Sequence, residues 1–190
     1  MARIAHHSFQ LTFDGSFDKG ADDRLSAAGC GASLWSPVDK DGVRTCVAQA
    51  SCGSRQPSAQ LAEGEALRLA FWLLFILGLS SANVEIIGDC DEVVRFATLH
   101  GDPKCARLWD VLGNALLHVS AHSWKLRYTV VPRTSNVLAH RLAKGGLSLA
   151  RTFDFQPRVW TSVVGLDDLA WFPPPSRLPL PLVPCLLPTS

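Results

Sequence analysis

No Cys-x-x-Cys pair occurs among the six cysteines, at positions 30, 46, 52, 90, 105 and 185, and no regular spacing links them. That disfavours a zinc site and, still more, a disulfide framework, and the cysteines read as buried or free thiols of a reducing compartment. Net charge is lacking too: 18 basic residues against 17 acidic leave +1. A histone-like or polybasic binder is thereby disfavoured, and any contact with nucleic acid must rest on local groups and a bound cation. The N-terminus Met1-Ala2-Arg3-Ile4-Ala5-His6-His7 has no apolar core of a signal peptide. Nor is any apolar run of membrane length. The longest, Leu69 to Leu79, follows Glu63, Glu65 and Arg68 and precedes Ser80, Ser81 and Asn83, whereas a span needs about 20 apolar residues. A buried helix in a soluble protein, nuclear or cytoplasmic and without a membrane partner, is the expectation.

What is present is an apolar content of 47% over 190 residues, enough for one core. Alternation predicts a first strand over Ser8 to Asp14, ending in an Asp14-Gly15-Ser16 turn, a second over Ala28 to Trp35 and a third over Val43 to Ser51. A helix is expected over Ala59 to Leu77, with Glu63 and Glu65 in its first turns, where their charge suits the dipole. There follow a strand over Val84 to Gly88, helices over Asp91 to Leu99 and Lys104 to Val119, a strand over Trp124 to Val131 and a last helix over Ser135 to Ser148. The predicted organisation is an N-terminal arm over 1–7, a domain over 8–150, and a tail over 151–190 that is aromatic and then, from Phe172, broken by prolines. The tail reads as partly docked to residue 172 and disordered or extended beyond it.

Four segments carry acids or a helix signature in this order: Phe13-Asp14-Gly15-Ser16; Ala62-Glu63-Gly64-Glu65-Ala66-Leu67; Gly88-Asp89-Cys90; and Val131-Pro132-Arg133-Thr134-Ser135-Asn136-Val137-Leu138-Ala139-His140-Arg141-Leu142-Ala143-Lys144. Over residues 8 to 150 the chain resembles the type 1 ribonuclease H domain, in the plant reverse-transcriptase-like branch derived from retroelements. The resemblance implies an α/β ribonuclease H-like fold: a five-stranded mixed sheet, three antiparallel strands and then two parallel, flanked by helices. It implies Asp14, Glu63 and Asp89 as ligands of two magnesium ions, with manganese as the alternative, hydrolysis of the RNA strand of an RNA/DNA hybrid, and a monomer. Gly15, Ser16, Asn136 and Arg133 are the positions it points toward nucleic acid, with Gly15 and Ser16 in a polar loop suited to the RNA 2′-hydroxyl. The partner of the tail is unknown.

Two departures qualify the resemblance. Where the family pattern N-x-x-A-D-x-L-A places a fourth acid, this chain has His140. Three readings stand: a weak ligand or proton-transfer group assisting catalysis, a neutral surface histidine, or a decayed site. The loop before the last helix, Val131 to Ser135, carries no histidine, unlike bacterial enzymes. An enzyme and a catalytically weak or inactive nucleic-acid-binding module therefore both remain open. Glu65 lies about 200° around a helix from Glu63, so both cannot face the ions, and it is expected in solvent. His118 and His122 are spaced for one helix face but lack the glutamate of a zinc motif and read as surface residues. Asp91 and Glu92 read as first-turn helix acids, and no basic helix is evident, Lys104 and Arg107 being too sparse. Lys125 and Arg127 share one face of their strand by period two.

Overall fold

The computed structural model describes residues 8–20, 26–79, 81–99, 106–152 and 159–163. Alternation along β1 (Phe9–Asp18) sends Leu11 and Phe13, both fully buried, to one face of a sheet and Gln10 and Thr12 to the other. On one side β1 pairs antiparallel with β2 (Ala27–Trp35), which pairs antiparallel with β3 (Cys46–Ser54). On its other side β1 pairs parallel with β4 (Asn83–Gly88), which pairs parallel with β5 (Lys125–Val130). These five strands are the expected mixed sheet. A sixth, β6 (Val159–Val163), adds antiparallel to the edge of β3, so the order is β5-β4-β1-β2-β3-β6 and the sheet continues past residue 150. The scattered aromatics of this stretch show no period from which a strand could be read. The proline-rich segment beyond 163 lies outside the described residues.

The apolar run of the sequence is the middle of helix α1 (Ala59–Ile76), which starts where the Ser58 hydroxyl accepts the Leu61 N–H. From Leu61 to Leu74 every residue but Glu65 and Arg68 is buried, because the sheet covers one side and helix α3 (Ala106–Ser120) the other. Among the described residues no helix is long and apolar enough to cross a membrane. Helix α2 (Asp91–Thr98) follows β4 and carries Asp91 and Glu92 in its first turn. The core of Leu11, Phe13, Leu34, Leu67, Phe71, Trp72, Ile86 and Phe96 lies between the sheet and these three helices.

Helix α4 (Val137–Thr152) occupies the opposite face, preceded by a 3-10 turn at Arg133–Ser135. It packs almost backbone to backbone: a Cβ on Gly29 would fall 2.1 Å from the Ala143 carbonyl oxygen, and one on Gly31 2.4 Å from that of Ala139. Ala139 and Ala143 supply the matching small surface, and the Ser51 hydroxyl donates to the Leu142 carbonyl at 2.7 Å. α4 lies across β1, β2 and β3.

Candidate active site

The site forms where two strands part company. β1 and β4 are paired from Phe9↔Val84 to Thr12↔Ile87 and then diverge. Asp14 and Asp89 lie just beyond that last pair, at the carboxyl end of β4, while α1 brings Glu63 in from the core side. One carboxylate oxygen from each of Asp14, Glu63 and Asp89 lies within 4.8 Å of the others. Three acids from three separate elements thus meet at one point.

Asp14-Gly15-Ser16 is not a turn. β1 runs on to Asp18, with Asp14 opposite Gly31 and Gly15 opposite Cys30 on β2. The glycine is needed for approach: a Cβ there would lie 2.4 Å from the Glu63 backbone nitrogen. The space left by the missing side chain brings α1 onto β1, and the Gly15 N–H donates to Glu63 Oε2 at 2.8 Å, fixing that carboxyl. Gly15 and Ser16 are therefore buried strand residues rather than a polar loop, and the Gly15 amide is already engaged.

Crowding carboxyl groups away from water favours their protonated forms. Asp14 is pushed up to about 6, by burial first and by the neighbouring Asp89 charge, against a lowering bond from His140. Glu63 is pushed up to about 9, by burial first and then by the charges of Asp14 and Asp89, against the bond from Gly15. Asp14 Oδ1 and Asp89 Oδ1 are buried acceptors without a hydrogen-bond partner among the described residues. Such orphaned acceptors are costly unless something cationic or protonated faces them. An all-oxygen carboxylate set with unfilled lone pairs fits a hard divalent cation.

His140 enters from the first turns of α4. Its Nδ1 lies 3.0 Å from Asp14 Oδ2 and 3.0 Å from an Arg133 guanidinium nitrogen. One ring nitrogen cannot serve both in one state. With its proton on Nδ1 the imidazole donates to Asp14; with the proton on the other nitrogen, Nδ1 accepts from Arg133 and no longer donates to Asp14. His140 is thus part of the site rather than a detached surface histidine. Arg133, exposed in the 3-10 turn, stands beside it. Asn136 is buried and donates from Nδ2 to the Phe13 carbonyl at 2.7 Å, tying the start of α4 to the strand that bears Asp14. That tie has no signature in the sequence, because it joins residues far apart in the chain through a backbone acceptor.

Two expectations need correction. Glu65 is not solvated: its side chain is 12% exposed and pairs with Arg68 one turn on. Glu63 and Glu65 do stand in the first turns of α1, but beyond the very first, which holds no acid. The helix begins at Ala59, so Glu63 stands a full turn in, where packing against β1 rather than the helix dipole decides its place. The histidines four apart are packing groups. His122 stacks on Trp124 with centroids 4.5 Å apart, and Phe75 meets both His118 and His122 edge-on.

Comparison with known proteins agrees with this geometry. No curated protein sequence matches the chain. Among solved structures, ribonuclease H1 from the halophilic archaeon Halobacterium salinarum is 25% identical, with a TM-score of 0.60 over 75% of this chain and 99% of its own. The N-terminal ribonuclease H domain of a Mycobacterium tuberculosis protein is 23% identical, with a TM-score of 0.58 over 76% of this chain and 96% of its own. LC11 ribonuclease H1, solved in complex with RNA/DNA hybrid, is 21% identical, with a TM-score of 0.59 over 75% of this chain and 99% of its own. The family model described as "Reverse transcriptase-like" matches residues 13–146. That match takes in Asp14, Glu63, Asp89 and His140 together, and the chain belongs to the reverse transcriptase-like family of ribonuclease H-like domains.

Proposed function

We propose that the chain is a metal-dependent endonuclease that hydrolyses the RNA strand of RNA/DNA hybrids. The observation that carries this reading is the meeting of Asp14, Glu63 and Asp89 within 4.8 Å of one another. These three would hold two magnesium ions, with manganese as the alternative. When bound, the ions supply an activated water and neutralise charge on the phosphodiester.

The chain's own residues prepare for this. The Gly15 amide holds one Glu63 oxygen and leaves the other for the site. Asn136 and the glycine-backed seat of α4 set the position of His140 against Asp14. His140 takes the place of a fourth acid, holding or passing a proton at Nδ1 beside Asp14 Oδ2, and Arg133 is placed to approach a phosphate near His140. The raised proton affinities of Asp14 and Glu63 mean that protons must leave as cations enter. A monomer derived from a plant retroelement, acting in a reducing nuclear or cytoplasmic compartment, completes the proposal. The Cys30 and Cys52 thiols, opposite each other on β2 and β3 and both raised by burial, suit such a compartment.

A second reading, a catalytically weak or inactive nucleic-acid-binding module, draws support from the same histidine: an imidazole 3.0 Å from Asp14 stands where the family pattern has a carboxylate. Cleavage of a labelled RNA/DNA hybrid in magnesium or manganese separates the two. The nuclease reading expects cleavage by the wild-type chain, its loss by about a hundredfold or more in Asp14→Asn, and a gain in magnesium for His140→Asp. No cleavage in either metal by folded protein, with no gain in His140→Asp, would leave the binding module.

A further inference from the structure

The register of the sheet aligns a row of side chains away from the acidic site. Gln10 on β1 stands opposite Trp35 on β2 and Glu85 on β4, and Glu85 stands opposite Arg127 on β5. Their neighbours Leu11, Leu34, Val84 and Ile86 are buried in the core against α1, so the row lies on the other face. α4 covers β1, β2 and β3 there from Val137 onward, but among the described residues it makes no extensive packing on β4 or β5. Among the described residues the sheet is left open beyond the start of that helix.

This open face is basic. Lys125, two residues from Arg127 on the same face of β5, is exposed, as are Arg127 and Arg141. The acid of the row, Glu85, accepts from the Thr129 hydroxyl at 3.1 Å, and no ion pair among the described residues engages Lys125, Arg127 or Arg141. Three cations against one carboxylate form a marked local excess in a chain whose total is +1. Beside the row is a cavity of about 320 Å³ lined by Gln10, Thr12, Trp35, Ser135, Asn136 and Arg141 among others. The Trp35 indole is held in place by its bond to the Ser33 hydroxyl at 3.0 Å.

We propose that this face is a second nucleic-acid contact, which holds a single-stranded segment with phosphates on Lys125, Arg127 and Arg141 and one unstacked base against Trp35. The dimensions agree. Three strand spacings separate Trp35 from Arg127, roughly 14 Å, a span that a few nucleotides of single strand can bridge. An indole wall with hydroxyl and amide groups around it suits the flat face and polar edge of a base, and a pre-set ring loses little freedom on binding. An acidic peptide could meet the cations but has no use for that cavity. The inference goes beyond hybrid cleavage and needs no metal, so it stands or falls independently of the nuclease reading.

The test is fluorescence anisotropy of a labelled single-stranded 12-nucleotide RNA with the full chain in EDTA, as a function of salt. Lys125→Glu/Arg127→Glu is expected to weaken binding at least about tenfold. With Arg141→Glu added, the slope of log affinity against log salt should fall by about 2, at about 0.7 per phosphate contact. Trp35→Ala should weaken binding about tenfold and Trp35→Phe much less, while Lys40→Glu, in an exposed turn, should leave it unchanged. Thermal melts show whether each variant is folded. Unaltered binding in folded Lys125→Glu/Arg127→Glu and Trp35→Ala would overturn the proposal, as would equal competition by poly-glutamate of matched charge.

Discussion

The two faces of the sheet are built on opposite principles. Against α1 the strands present large apolar side chains, with Leu11, Phe13, Leu34 and Ile86 fully buried and met by Phe71, Trp72 and Leu67. Against α4 they present almost nothing: Gly29, Gly31 and Gly53 admit the helix to van der Waals distance of the backbone. Large side chains exclude water and supply most of the burial that stabilises the fold. Bare backbone supplies little area but sets a helix position within a few tenths of an ångström, and on this helix rides His140, 3.0 Å from Asp14. The α1 face is thus chiefly a source of stability and the α4 face chiefly a source of position, with the site where they meet.

The sharpest way to break that comparison is to damage each face separately. Phe71→Ala removes a fully buried ring from the α1 face and should cost about 3–5 kcal/mol, read by denaturant unfolding, with little change in cleavage per folded molecule. Gly31→Ala should cost about 1–3 kcal/mol, because its methyl would meet Ala139 and Ala143 backbone at 2.4 Å. Its signature is a loss of hybrid cleavage per folded molecule out of proportion to the lost stability. A folded Gly31→Ala protein with normal cleavage would contradict the positional role of α4.

A third test concerns pH. Asp14 and Glu63 have folded-state values of about 6 and about 9, above their ordinary carboxyl values. The folded chain therefore holds protons that the unfolded chain has released, and stability without metal should fall as pH rises from about 4.5 toward 9. Melting scans in EDTA should show this decline, and Glu63→Gln should flatten it. Saturating magnesium should reverse it, because cations replace the departing protons and bind only the folded state.

The acid cluster was legible through the order of four short segments, each weak alone. Asp14 before a glycine, Glu63 ahead of a helical apolar run and Asp89 after a short strand each leave a mark within a few residues. The 200° between Glu63 and Glu65 on a helix was also enough to place them on different sides, although not to show that Glu65 pairs with Arg68 at 12% exposure. Other features left no such mark. The Asp14-Gly15 pair looks like a turn because those residues favour turns, yet a strand continues through it once α1 claims the space above Gly15. β6 has no alternation to announce it, since an edge strand is made by the hydrogen-bonding groups of β3 as much as by its own residues.

Local pattern by itself determined β1 to β5 and α1 to α4 in outline, and that the long apolar run is a helix too short to cross a membrane. Those properties depend on side-chain period and on chemistry within a turn or two. Tertiary structure decided that β1 lies between β2 and β4, that the strands part beyond Thr12 and Ile87, and that His140 reaches Asp14 across 126 positions of chain. Strand order and helix docking are set by the complementarity of distant surfaces, ring against ring on one face and glycine against alanine on the other, and no window along the sequence contains both halves of such a contact.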